Sequence, residues 1–177
     1  MKKSLLIVVF ISLLISCTQN NKTNTKNSIM KDAMEVAVKY AREKFNEPRD
    51  TAAASGVVTV EEGQVNFVTA NIKYIIDPKK ILTGLIDDDN NEDAIVYIYS
   101  VDDKGMENPE NLIMIRTDGK LMLSRVIESN MKVLSVNDRI ITAEVSSRSV
   151  NTPLRDCHVC KEVVKYKFKS GDLIKVQ

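Results

Sequence analysis

The chain has 177 residues, with 25 Lys and Arg, 24 Asp and Glu, one His, three Cys and no Trp, and a formal net charge of +1. Basic residues interleaved with nearly as many acidic ones exclude the concentrated patch that a nucleic-acid partner needs for counterion displacement. The lone His158 confines any Ser-His-Asp or Cys-His arrangement to one position, and the missing Trp removes the commonest sugar-stacking platform.

Lys2 and Lys3 precede an apolar run from Leu5 to Ile15, which closes on Leu14-Ile15-Ser16-Cys17. A charged start, a short apolar stretch and small residues before a cleavage point predict a secretory signal peptide. The run is far shorter than the roughly 20 apolar residues of a spanning helix. The Leu-Ile-Ser-Cys segment resembles the bacterial lipobox. That resemblance implies a lipoprotein signal peptide over residues 1–16 and acylation of Cys17, by palmitate or a similar chain, as the first residue of the mature protein. Cleavage carries off Lys2 and Lys3, which takes the net charge from +1 to about −1, and leaves about 160 residues, the size of one domain. Residues 17–28 comprise the acylated cysteine and a polar tether: Thr18 to Ser28 has no apolar side chain to bury, and it holds the domain clear of the bilayer. No Asp follows Cys17, which by resemblance to the sorting rule of enterobacterial lipoproteins implies the outer membrane.

Residues 29–177 read as a single α+β domain. Met30, Met34, Val38, Ala41 and Phe45 recur at three- and four-residue spacings, predicting an amphipathic helix between Ile29 and Asn46. Asn27 or Ser28 can cap its start, Asp32, Glu35 and Lys44 suit the helix dipole, and Pro48 stops it. Its polar face mixes both charges, which marks the stripe as core packing and not a membrane-binding face. After Gly56 the period becomes that of strands: Val57 to Val60 and Val65 to Ile76, parted by a turn at Gly63, then Ala94 to Val101, Leu112 to Arg116, Lys120 to Ile127, Lys132 to Val136, Arg139 to Val145, Lys161 to Lys169 and Leu173 to Val176. Asp118-Gly119, Asn137-Asp138 and Ser170-Gly171-Asp172 supply turns at hairpin distance, and short connections make neighbours antiparallel. The expected fold is an N-terminal amphipathic helix packed on a mainly antiparallel β-sheet. Tyr40, Tyr74, Tyr97, Tyr99 and Tyr166 fall within these elements as packing residues.

The densest polar cluster runs from Gly84 to Asp93, directly before the strand Ala94 to Tyr99. Carboxylates at alternating positions on a tight loop can converge on a hard cation such as Ca2+, which takes about six to eight oxygen ligands; Asp87, Asp89 and Asp93 are the candidate ligands. An EF-hand frame starting at Asp87 fails, because Glu92 stands where glycine is needed and Ile98 where a bidentate Glu is needed. The other role for these carboxylates is to accept backbone amides and cap a hairpin.

The same segment is similar to the acidic strand-loop-strand motif of FG-GAP-like secreted repeats. Gly84 matches the opening glycine, Asp87, Asp89 and Asp93 match later acidic positions, Asn90 replaces the internal glycine, and Leu85 replaces the first Asp. Asn tolerates the left-handed conformation that such a turn requires. Asp118-Gly-Lys-Leu121, Cys157 to Cys160 and Gly171-Asp-Leu173 extend the likeness, over roughly the C-terminal half, to small bacterial lipoproteins and secreted proteins of unknown function with a C-terminal Cys pair. The resemblance implies a fold and brings no established activity.

Cys157-His158-Val159-Cys160 has a spacing similar to that of thioredoxin-like oxidoreductases. Such a pair is activated at a helix start in a βαβ setting, whereas this one follows Asn151-Thr-Pro-Leu and precedes a strand-like run. That context favours a local disulfide between Cys157 and Cys160, in a compartment where disulfides persist. Zinc would find only Cys157, His158 and Cys160, with no second pair to complete a tetrahedron. Lys161 stands where haem attachment needs its His.

Together these features describe a lipid-anchored cell-envelope binding or interaction module without catalytic activity. It is held to the membrane through its N-terminal lipid, with an unidentified envelope protein or ligand as partner. The alternatives are an envelope thiol-disulfide oxidoreductase using Cys157 and Cys160, or a calcium-stabilised secreted domain.

Overall fold

Alternating apolar positions and short turns produce ten strands in the computed structural model, which describes residues 28–44, 57–61, 64–68, 72–102, 104–105, 107–128, 131–146 and 161–176. They are β1 (Val57–Glu61), β2 (Gln64–Val68), β3 (Ile72–Gly84), β4 (Asp93–Asp102), β5 (Glu107–Thr117), β6 (Lys120–Glu128), β7 (Met131–Asn137), β8 (Ile140–Ser146), β9 (Lys161–Lys169) and β10 (Asp172–Val176). A helix, α1, occupies residues 28–44. Residues 1–27, and with them the signal segment and Cys17, lie outside the described residues, as do Cys157, His158 and Cys160.

Every strand pairing is antiparallel, so the class is mainly antiparallel β with a helix, broadly α+β. The strands do not form one sheet. β1 to β6 make a six-stranded meander in chain order, and β7 to β10 make a separate four-stranded sheet. The cause lies in the central strands. Ala94, Val96, Ile98, Leu112 and Met114 belong to one buried cluster, while their chain neighbours Ile95 and Ile113 belong to a second. A strand apolar on both faces needs a cover on both. Val136, Ile141 and Phe168 of the four-stranded sheet share that second cluster.

Ile29, Ala33, Ala37, Tyr40 and Ala41 of α1 are buried in the first cluster. This stripe is displaced by one residue from the expected Met30, Met34 and Val38, which are only partly buried. Small alanines occupy its centre and the bulkier Met and Val side chains flank it. Phe45 lies outside the described residues.

Turn chemistry sets the register. Asp118 and Gly119 have φ of 51° and 78°, Asp138 and Arg139 of 48° and 63°, and Ser170 and Gly171 of 53° and 84°. Two successive positive φ values are the signature of the two-residue turns that match strand twist. Asn137 pairs with Ile140, so the second turn sits one residue beyond the expected Asn137-Asp138 and forces Arg139 into a conformation that usually favours Gly or Asn. The expected strand Val65 to Ile76 is two strands, β2 and β3, and β3 runs on to Gly84. It passes Pro78 through a bulge: Ile76 pairs with Ile98 but Ile81 pairs with Val96. Proline has no N–H for the ladder, so the extra residues loop out around it, and Asp77 Oδ1 accepts the Lys79 amide at 2.9 Å.

Candidate functional site

Two polar features stand out, the acidic loop between β3 and β4 and a groove between the sheets. Asp87, Asp89 and Asp93 each offer a carboxylate oxygen, and these oxygens lie within 4.8 Å of one another. Like charges this close repel, and the loop holds them by giving each carboxylate donors. Asp93, fully buried, accepts the Ile86 amide on Oδ2 and the Arg116 amide on Oδ1, both at 2.9 Å. It therefore links the loop to β5. Asp87 Oδ1 accepts the Asp89 amide at 3.0 Å, and Asp89 Oδ1 accepts the Asn91 amide at 2.7 Å. These are local turns in which a short acidic side chain substitutes for backbone.

Charge balance comes from two arginines. Arg139 donates to the carbonyls of Asp87 and Asp89, both at 2.8 Å, and to Asn90 Oδ1 at 3.0 Å. Arg116 donates to the Glu92 carbonyl at 3.3 Å, the Gly119 carbonyl at 2.8 Å and Asp32 of α1 at 2.9 Å. Burial pushes Asp87 and Asp93 above the ordinary aspartate value. The Asn91 backbone amide holds Asp89 below it. The three carboxylates could supply part of an oxygen cage for a hard cation, although both oxygens of Asp93 already accept backbone amides and both oxygens of Asp89 already accept from Asn91. The same geometry braces a sharp connection between two core strands.

Gly84, matched in sequence to a motif glycine, has a packing role. A Cβ there would stand 3.0 Å from Val136 Cγ1 of the four-stranded sheet. Arg139 was not signalled by its residue type. Only its turn position, facing the acidic loop, gives it three acceptors.

The groove was also missed by sequence reasoning. It encloses about 720 Å³ and is lined on one side by Lys80, Leu82, Tyr97 and Pro109, and on the other by Met131, Lys132, Val133, Glu144, Ser146 and Lys161. Tyr97 and Tyr99 share one face of β4 with ring centroids 5.8 Å apart. Lys80 Nζ stands 5.1 Å and 5.5 Å from those centroids, within range of a cation–π contact. Burial, and then Glu107, push both tyrosines above their usual value. Across the groove Lys161 Nζ meets Glu144 Oε1 at 2.8 Å, and that bond holds Glu144 below its usual value. Three ammonium groups thus face one carboxylate around an apolar floor. Nearby, Asn111 Nδ2 donates to the Met131 carbonyl at 2.8 Å, joining β5 to β7. The available clue was the pair Tyr97 and Tyr99, which replaces aliphatic residues on the face of β4 that carries Ile95.

Among the described residues no helix is long and apolar enough to cross a membrane. No protein-family model, curated protein or solved structure matches the chain.

Proposed function

We propose that the chain is a lipid-anchored binding module of the bacterial cell envelope, acylated on Cys17, that takes an anionic ligand with an apolar body in the groove between its sheets. The groove carries this reading. Its lysines Lys80, Lys132 and Lys161 outnumber its one carboxylate, and Leu82, Tyr97, Met131 and Val133 offer apolar contact beneath them. Concave, mostly apolar sites with a few convergent polar groups are the usual form of ligand pockets. The lipobox-like Leu14 to Cys17 supports the anchor, and the polar run behind it supports a tether. The amphipathic helix belongs to the same reading as a cover packed on the six-stranded sheet. Its support is the Tyr40 hydroxyl donating to Glu110 at 2.5 Å, Lys44 meeting Glu110 at 3.2 Å, and Asp32 paired with Arg116.

An aromatic sulfonate dye of the anilinonaphthalene type tests the groove, because it combines one anion with a flat apolar body. Saturable binding is expected to the folded protein, and its loss in Lys80→Glu/Lys132→Glu, a variant whose thermal unfolding should match the parent because both side chains are at the surface. Undiminished binding in that variant, or no binding to the parent, would reject the groove as the ligand site.

A further inference from the structure

The four-stranded sheet has two unlike faces. Ile141, Ala143, Val164 and Phe168 are buried, so by strand alternation Lys165, Lys167 and Lys169 project from the opposite face, where all three are exposed. The register puts Lys161 beside Ser146, and it puts Ile174 and Asp172 of β10 beside Lys167 and Lys169. Lys132 of β7 lies opposite Glu144, and at this end of the sheet the face runs into the rim of the groove, where Lys132, Glu144 and Lys161 stand. The carboxylates on this face are already engaged, Glu144 with Lys161 at 2.8 Å and Asp172 with Arg125 at 2.6 Å. The ammonium groups of Lys165, Lys167 and Lys169 have no side-chain hydrogen bond or ion pair among the described residues. Apolar side chains stand among the cations: Val163 is 65% and Ile174 50% exposed.

A stiff row of cations interrupted by exposed aliphatic groups matches a surface that is anionic outside and apolar just beneath, as anionic phospholipid is. A second copy of the chain would set lysine against lysine, which is repulsive. A nucleic-acid backbone would engage the cations and leave Val163 and Ile174 nothing to bury against. We propose that the outer face of the four-stranded sheet, centred on Lys165, Lys167 and Lys169, docks on anionic phospholipid headgroups. The proposal rests on the envelope reading for the presence of a bilayer. The polar tether then supplies the reach for the anchored domain to turn this face to the membrane.

Because the chain has no Trp, Ile174→Trp puts a unique fluorophore on the face. The acylated protein carrying it is added to vesicles of phosphatidylcholine alone, or of phosphatidylcholine with phosphatidylglycerol. On the anionic vesicles only, emission should shift to the blue and be quenched by brominated acyl chains. The shift should vanish at about 1 M salt, where screening acts within about 3 Å. Adding Lys165→Glu, Lys167→Glu and Lys169→Glu should weaken docking by at least about a hundredfold. Val60→Trp, at a 70% exposed position of β1, should show no shift. The proposal is overturned by a shift that survives the three reversals, by equal shifts on neutral vesicles or at Val60→Trp, or by saturation with a DNA duplex without response to anionic vesicles. Failure of the anchor looks different. The protein would then stay in the supernatant of neutral vesicles, whereas failure of docking would leave it vesicle-bound with unshifted emission.

Discussion

Asp93 shows how one side chain joins local and tertiary structure. Its carboxylate closes the acidic loop through the Ile86 amide and ties that loop to β5 through the Arg116 amide. Asparagine keeps the shape but presents an N–H to one of these two amides, so Asp93→Asn should cost about 1–3 kcal/mol, the usual penalty for an unmet buried polar group. The pH dependence has a definite sign. Burial raises the Asp93 pKa in the folded protein, so its contribution is full below the unfolded value of about 3.9 and is lost as pH rises through the folded value. Asparagine does not titrate. The stability gap between the parent and Asp93→Asn, measured by denaturant unfolding, should therefore be wider in acid than at neutral pH. A gap that widens toward neutral pH would mean that the two amide bonds outweigh desolvation. Of the three acidic candidates, sequence spacing found all and the structure brings all three together. That backbone amides would occupy them was also legible in the sequence, but not that the Arg116 amide is one of the donors, because it belongs to a strand more than twenty residues away.

At the scale of elements, the two sheets meet where β3 ends. Gly84 there leaves little room for a side chain, since a Cβ would stand 3.0 Å from Val136 Cγ1 and 3.4 Å from the Val136 carbonyl oxygen, and Val136 would have to give way by a few tenths of an ångström. Gly84→Ala should destabilise the fold by about 1–3 kcal/mol, the range for overpacking. Val136→Ala in the same chain should recover part of that loss, giving a favourable coupling in a double-mutant cycle. Strict additivity would show that the contact does not set the sheet separation. The hairpins were legible from Asp118-Gly119 and Ser170-Gly171, where residue type and backbone requirement agree. The turn at Asp138-Arg139 lies one residue beyond the Asn137-Asp138 position that residue type favours, because Arg139 is a poor choice for positive φ. Its guanidinium gains three acceptors on the acidic loop in that position, and no local propensity encodes them.

On the scale of the whole molecule, the proposed anchor and the proposed binding surfaces would act together: an acylated Cys17 would hold the domain at the membrane, leaving the groove and the lysine face to engage what lies there. Cys17→Ser should abolish incorporation of a fatty-acid analogue and leave an unprocessed precursor. Equal labelling of the variant and the parent would defeat the anchor. The sequence by itself determined most strand positions, though not the break between β2 and β3 or the run of β3 on to Gly84, together with antiparallel pairing and two of the three turns, because alternation and turn residues act within a few positions of each other. It also carried a hint of the second sheet, since Leu112-Ile113-Met114-Ile115 runs apolar without alternation, as a strand covered on both faces does. Which residues supply that second cover, and where the cover stops short and leaves Tyr97, Lys80 and Lys132 around a groove, was decided only by tertiary structure. The physical reason is that a groove is the space between surfaces of distant segments, and its shape follows from how far each sheet extends over the other, which no local pattern records.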